Sequence, residues 1–102
     1  MPASLPGLVI DLQRYRVLRD GAPLALSYRE YALLVYLATH AGYPVSKRRL
    51  LEEGMGRHDV GGLRMVEEHV RHLKAKLERG LEVLIQETDD GYCFLKDAAV
   101  VS

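Results

Sequence analysis

Basic side chains collect in two places where they could act together. Lys47-Arg48-Arg49 is a run of three cations directly after Ser46, and Arg64, Arg71, Lys74 and Lys76 recur through residues 64–76. Lysine and arginine gathered on one helix flank can hold anions, by charge and by hydrogen bonds to oxygen. The bland reading of the same residues is a solvated helix face, supported by i,i+4 pairs such as Glu67 with Arg71.

Other chemistries find less support. His69 and His72 have an i,i+3 spacing that can chelate a metal, but no cysteine or third histidine is placed to complete such a site. No metal and no cofactor is therefore expected, and His69, beside an apolar stripe, reads as partly buried and hydrogen-bonded. The lone Cys93 excludes an intramolecular disulfide and a multi-cysteine metal centre, and in a predicted strand it reads as a small apolar filler. Asp89-Asp90-Gly91 has turn residues but too few oxygens for calcium. Gly61-Gly62 lacks the Lys-Ser/Thr of a phosphate-binding loop, and no nucleophile–base pair occurs. The expected activity is binding, and the chain is not expected to be an enzyme.

Charge narrows where binding can occur. Fourteen basic residues balance fourteen acidic ones, so no global field draws the chain to nucleic acid or an anionic membrane. Residues 1–79 carry thirteen basic and nine acidic side chains and residues 80–102 one and five, which places any anion-binding surface upstream of Gly80. A chain of 102 residues has room for one domain. No apolar run approaches the roughly 20 residues of a membrane span, and the first residues lack a secretory signal. A cytoplasmic location with no membrane partner is expected.

The elements that would position these residues can be read from periodicity. Gly7–Leu12 and Tyr15–Arg19 read as strands, Asp20-Gly21 as a tight turn and Pro23–Leu26 as the returning strand, an antiparallel sheet over 7–26. Ser27-Tyr28-Arg29-Glu30 has capping-box spacing and opens a helix over 28–41, stopped by Gly42. Ser46 caps a second helix over 47–53. Leu63, Val66, Val70, Leu73 and Leu77 form the apolar stripe of a third helix over 63–79, with Arg64, Glu68, Arg71, His72 and Ala75 on the opposite side. Two strands flanking Thr88–Gly91 make a hairpin over 83–96, and Ala98–Ser102 reads as frayed. Sheet, three helices and a terminal hairpin suggest an α+β winged helix-turn-helix.

The residues themselves resemble one family. Ser27–Leu37 looks like [ST]-x-x-E-[FY]-x-L-L-x-x-L, Val45–Leu51 resembles V-[VI]-S-R-x-x-L-L, and Arg64–Glu78 is similar to R-x-V-D-V-H-I-x-R-L-R-x-K-L-E. Ile85-Gln86 and Gly91–Phe94 match the ends of I-x-T-V-R-G-x-G-Y-x-F. Together, over residues 7–95, these resemble the OmpR/PhoB-type effector domain of two-component response regulators. The resemblance implies a four-stranded N-terminal sheet, three helices and a wing, binding double-stranded DNA with the third helix in the major groove and the wing near the minor groove. It also implies a homodimer on direct repeats and contact with RNA polymerase through the 53–62 loop.

Carried over residue by residue, the resemblance makes Arg64 a phosphate contact and Arg71 and Lys74 phosphate or base-edge donors. His72 stands where an arginine often reads a base, and Tyr92 is a wing tyrosine that can touch the DNA backbone. Beside these, Lys47-Arg48-Arg49 reads as a phosphate-contacting helix start or else as an ordinary surface. Glu68 replaces a small apolar residue and can accept from a cytosine amino group. Asp89-Asp90 replaces the wing's arginine-glycine, and the tryptophan near Met55 is missing. These departures, with the zero net charge, motivate an alternative: a degenerate winged helix acting as a protein-interaction module or anti-regulator. No phosphoacceptor receiver sequence lies within these 102 residues, which leaves phosphorylation-driven activation of the usual kind without a place here.

Overall fold

Leu8–Asp11 forms β1, buried along its whole length in the computed structural model, which describes residues 7–57, 61–78, 83–95 and 98–101. A strand with no exposed position sits inside a sheet, with both edges paired. On one edge β1 runs antiparallel to β2 (Arg16–Arg19), which pairs in turn with β3 (Ala22–Leu24). Asp20 and Gly21 have φ of 50° and 85°, the left-handed conformations of the tight turn read from their types. At the β1–β2 corner the Asp11 carboxylate accepts the amides of Gln13 and Arg14 at 3.0 and 3.1 Å.

The other edge of β1 corrects a sequence expectation. Ala99–Val101, read as frayed, forms the last strand of the sheet, parallel to β1, and Leu12 N donates to Val101 O at 2.7 Å. The sheet order therefore runs from β3 through β2 and β1 to this terminal strand, and the sheet is mixed rather than wholly antiparallel. The physical reason is the fully buried β1, whose second edge needs partners for its amides and carbonyls.

Helix α1 spans Tyr28–Thr39. Its capping box is complete: Ser27 Oγ accepts from Glu30 N at 3.1 Å, and Glu30 Oε1 accepts from Ser27 N at 3.0 Å. It ends two residues before the expected position, because the amides of His40 and Ala41 turn to the i−3 carbonyls of Leu37 and Ala38. A short strand, β4 (Val45–Ser46), follows, unread in the sequence.

Ser46 Oγ accepts from Arg49 N at 3.1 Å and caps α2 (Lys47–Arg49), which widens at once into a π-helical turn over Leu50–Gly54. The expected continuous helix over 47–53 thus changes character midway. Adjacent Leu50 and Leu51 are both buried in this turn and pack into the core. Helix α3 spans Gly62–Leu77, with Val66, Val70, Leu73 and Leu77 buried as the stripe requires and Leu63 half-buried. It closes at Leu77 with Glu78 as its cap; Arg79, the expected last residue, lies outside the described residues.

The terminal hairpin pairs β5 (Ile85–Glu87) with β6 (Gly91–Phe94), shorter than the expected 83–96, of which residue 96 lies outside the described residues. Strand β4 adds to the far side of β6, so the wing is the outer part of a three-stranded sheet. This approach requires glycine at 91: a β-carbon there would lie 1.9 Å from Val45 O. Ile85 and Phe94 complete the core with Leu33, Leu34 and Leu37 of α1 and the inner face of α3.

Candidate nucleic-acid interface

Burying one stripe of α3 leaves its opposite side to solvent, and Arg64, Glu68, Arg71, His72 and Ala75 are all exposed there. Among the described residues neither Arg64 nor Arg71 is in an ion pair. His69 sits between stripe and surface, half-buried, with Nδ1 2.8 Å from Met65 O, so it is spent on its own helix. Among the described residues no cluster of three or more metal-ligating side chains forms. Cys93 is buried in β6.

Most of the cations read from the sequence have partners within the fold, Arg49 with Glu53 at 3.5 Å among them. Lys74 Nζ donates to Ile85 O at 2.7 Å and lies 3.6 Å from Glu78 Oε1. The same Glu78 carboxylate accepts the amides of Leu84 and Ile85 at 2.8 and 2.7 Å. Lys74 and Glu78 together clamp the root of the wing to the end of α3. Lys47 Nζ lies 2.6 Å from Glu67 Oε2, linking the start of α2 to α3, so Glu67 pairs across the helices rather than with Arg71 along its own. Arg48, more exposed, reaches Glu52 at 3.6 Å.

Tyr92, the expected wing contact to the DNA backbone, is a buried residue of β6. It is 5% exposed and does not project from the wing; its ring lies under Lys47, with Nζ 5.9 Å from the ring centroid. Burial pushes its phenol pKa up against the opposing pull of Lys47. The bond from Glu67 raises the Lys47 pKa, and the ammonium in return lowers that of Glu67.

A cleft of about 250 Å³ runs between α3 and the wing sheet, lined by Lys47, Glu67, Val70, Arg71, Lys74, Glu87 and Tyr92. The fold thus brings Lys47, Arg71, Lys74 and Tyr92 together. Arg64, Glu68 and His72 lie along the outer face of α3, and Arg48 stands on α2, none of them lining the cleft. The wing turn is tied to the same place, since Lys47 N donates to Asp90 O at 2.9 Å. Positive charge is consequently discontinuous, interrupted by Glu67, Glu68 and the exposed Asp89 and Asp90.

Residues 21–94 match the family described as transcriptional regulatory protein, C terminal. The chain belongs to that family. It is 39% identical over 72 residues to the transcriptional regulatory protein SrrA of Staphylococcus aureus, covering 71% of this chain and 30% of the relative. The chain thus spans less than a third of that relative's length. The DNA-binding domain of CpxR from E. coli has the same fold, with a TM-score of 0.78 at 27% identity over 96% of this chain and 100% of that one. The RstA DNA-binding domain of Klebsiella pneumoniae, solved in complex with the RstA box, gives 0.77 at 32% identity over 90% and 94%. The architecture is that of an OmpR/PhoB-type winged-helix effector domain, a class of transcription-regulator modules rather than enzymes. Among the described residues no helix is long and apolar enough to cross a membrane.

Sequence reasoning missed the carboxylates of this effector domain that organise the site. Glu67 lies twenty residues from Lys47 and Glu78 six from Leu84, so no helical spacing joins either pair. The terminal glutamate of the third-helix motif, at Glu78, was the one available signal for the clamp.

Proposed function

We propose that this chain is the DNA-reading part of a cytoplasmic transcription regulator and binds duplex DNA with α3 in the major groove. Arg64 and Arg71, exposed and outside ion pairs among the described residues, supply the main phosphate and base-edge hydrogen bonds. Glu68 and His72 face base edges from the same side, and a carboxylate there suits a cytosine amino group. Lys47 and Arg48 meet phosphates at the start of α2. Lys74 acts as the wing's tether and Tyr92 as the floor beneath Lys47, in place of the direct contacts that the resemblance implied.

The observation that carries this reading is the exposed polar face of α3 on a fold closely similar to the RstA domain, which is solved with its DNA. One module of this size covers about 600–1,000 Å² on DNA. Firm site selection therefore calls for two copies, as the family resemblance also implies. Polymerase contact through the 53–62 loop belongs to the same reading; residues 58–60 of that loop lie outside the described residues.

The test is an amide NMR titration of the labelled chain with a generic duplex at low salt. Shifts concentrated on residues 64–76 that fade as salt rises support the reading. An unchanged spectrum at high duplex concentration overturns it and returns the protein-interaction alternative.

A further inference from the structure

The cleft between α3 and the wing sheet contains three cations in three different situations. Arg71 has no carboxylate partner among the described residues, and Lys74 is held by Ile85 O and Glu78. Lys47 is held by the Glu67 carboxylate, which makes no other hydrogen bond among the described residues. The bond from Lys47 Nζ to Glu67 Oε2 is 2.6 Å, the length of a strong charge-assisted hydrogen bond. Its two side chains stay 31% and 48% exposed. Among the described residues Glu67 accepts no backbone amide, unlike Glu30 and Glu78, which cap and clamp. A surface pair of this kind adds little to stability.

We propose that Glu67 stands in for a DNA phosphate: its carboxylate occupies Lys47 in the free domain and must release it before Lys47 can engage the duplex. The proposal rests on the DNA-binding reading and adds a built-in competitor to it. The geometry suits an exchange. Lys47 is anchored at its backbone by Asp90 O. Its ammonium lies over the Tyr92 ring among the residues lining the cleft, where an exchange of one anion for another needs no movement of the backbone. A duplex held loosely leaves the pair intact and gains nothing from Lys47. A duplex seated with α3 in the groove brings a phosphate to the cleft and breaks it. Glu67 thereby lowers general affinity for DNA more than affinity for a well-seated site.

The experiment compares binding of a generic duplex over a salt series for the full chain and four variants: Glu67→Gln, Glu87→Gln, Lys47→Ala, and Glu67→Gln combined with Lys47→Ala. Glu87 lines the same cleft and acts on Lys47 only through its field, so its variant makes the same charge change without touching the pair. One freed phosphate contact is worth roughly fivefold in affinity at 0.15 M salt and steepens the log–log salt slope by about 0.9. Glu67→Gln is expected to show both changes and Glu87→Gln a smaller one. In the Lys47→Ala background Glu67→Gln should then have little effect.

An equal gain from Glu87→Gln, or a gain that persists without Lys47, overturns the proposal, because overall charge then explains it. Weaker binding by Glu67→Gln also overturns it, making Glu67 a contact to the DNA. If no variant binds duplex at any salt, the DNA-binding reading fails and the proposal with it, an outcome separate from the others. Amide spectra of each free variant confirm that the fold is kept.

Discussion

Lys76 Nζ at the end of α3 lies 2.6 Å from Glu30 Oε1 in the first turn of α1 and 2.9 Å from Ala25 O. The same Glu30 oxygen completes the α1 capping box. One carboxylate therefore serves the start of one helix and the end of another. Lys76, which the sequence offers as part of a DNA-binding flank, is a structural cation. Lys76→Met is expected to lower stability by about 1–2 kcal/mol, discounted because the ammonium stays partly exposed. Urea unfolding checks this, and duplex affinity should barely change.

The pair also sets a pH dependence. Burial raises the Glu30 pKa, but Lys76 and the Ser27 amide outweigh it and hold the carboxyl below its ordinary 4.5. A lowered folded-state pKa means stability that is complete above the unfolded value and lost as pH falls through the folded one. Acid titration of unfolding free energy should therefore show a loss beginning near pH 4.5. Lys76→Met should flatten that loss.

Glu78→Ala is expected to leave the Leu84 and Ile85 amides without their acceptor, at a cost of about 1–3 kcal/mol. Hydrogen exchange at these two amides should speed up before any other change in the hairpin. Duplex affinity should fall as well, because the wing root is no longer tied to α3 through Glu78.

Gly91→Ala drives a β-carbon into Val45 O and separates β4 from β6. Overpacking of this kind costs about 1–3 kcal/mol or more. The specific signature is loss of exchange protection at Lys47 N, which donates to Asp90 O in the wing turn.

Arg71→Ala is expected to weaken duplex binding and to reduce the salt slope by about one. Arg48→Ala, whose guanidinium already shares Glu52, should have the smaller effect. Unchanged affinity and slope for Arg71→Ala, measured by fluorescence anisotropy, would count against α3 as the groove element.

Local chemistry made much of this protein legible in its sequence. The Ser27–Glu30 box, the Asp20-Gly21 turn, the Ser46 cap and the α3 stripe all act through residues within a turn or two of one another, where spacing dictates geometry. The stripe also settled which side of α3 faces solvent, and with it the exposure of Arg64, Glu68, Arg71 and His72. The adjacency of elements distant in the chain lay beyond such reading. Val45–Ser46 is too short to signal a strand and exists because β6 leaves an edge open, and Ala99–Val101 is ordered by the buried β1 ninety residues upstream. The same limit applied to charge. Lysines at 47, 74 and 76 look alike in sequence, but tertiary packing set Glu67 beside the first, a wing carbonyl and Glu78 beside the second, and Glu30 beside the third. A cation's type follows from its residue; whether it is available to a ligand depends on which oxygen acceptor, carboxylate or carbonyl, the fold has brought within 3 Å of it.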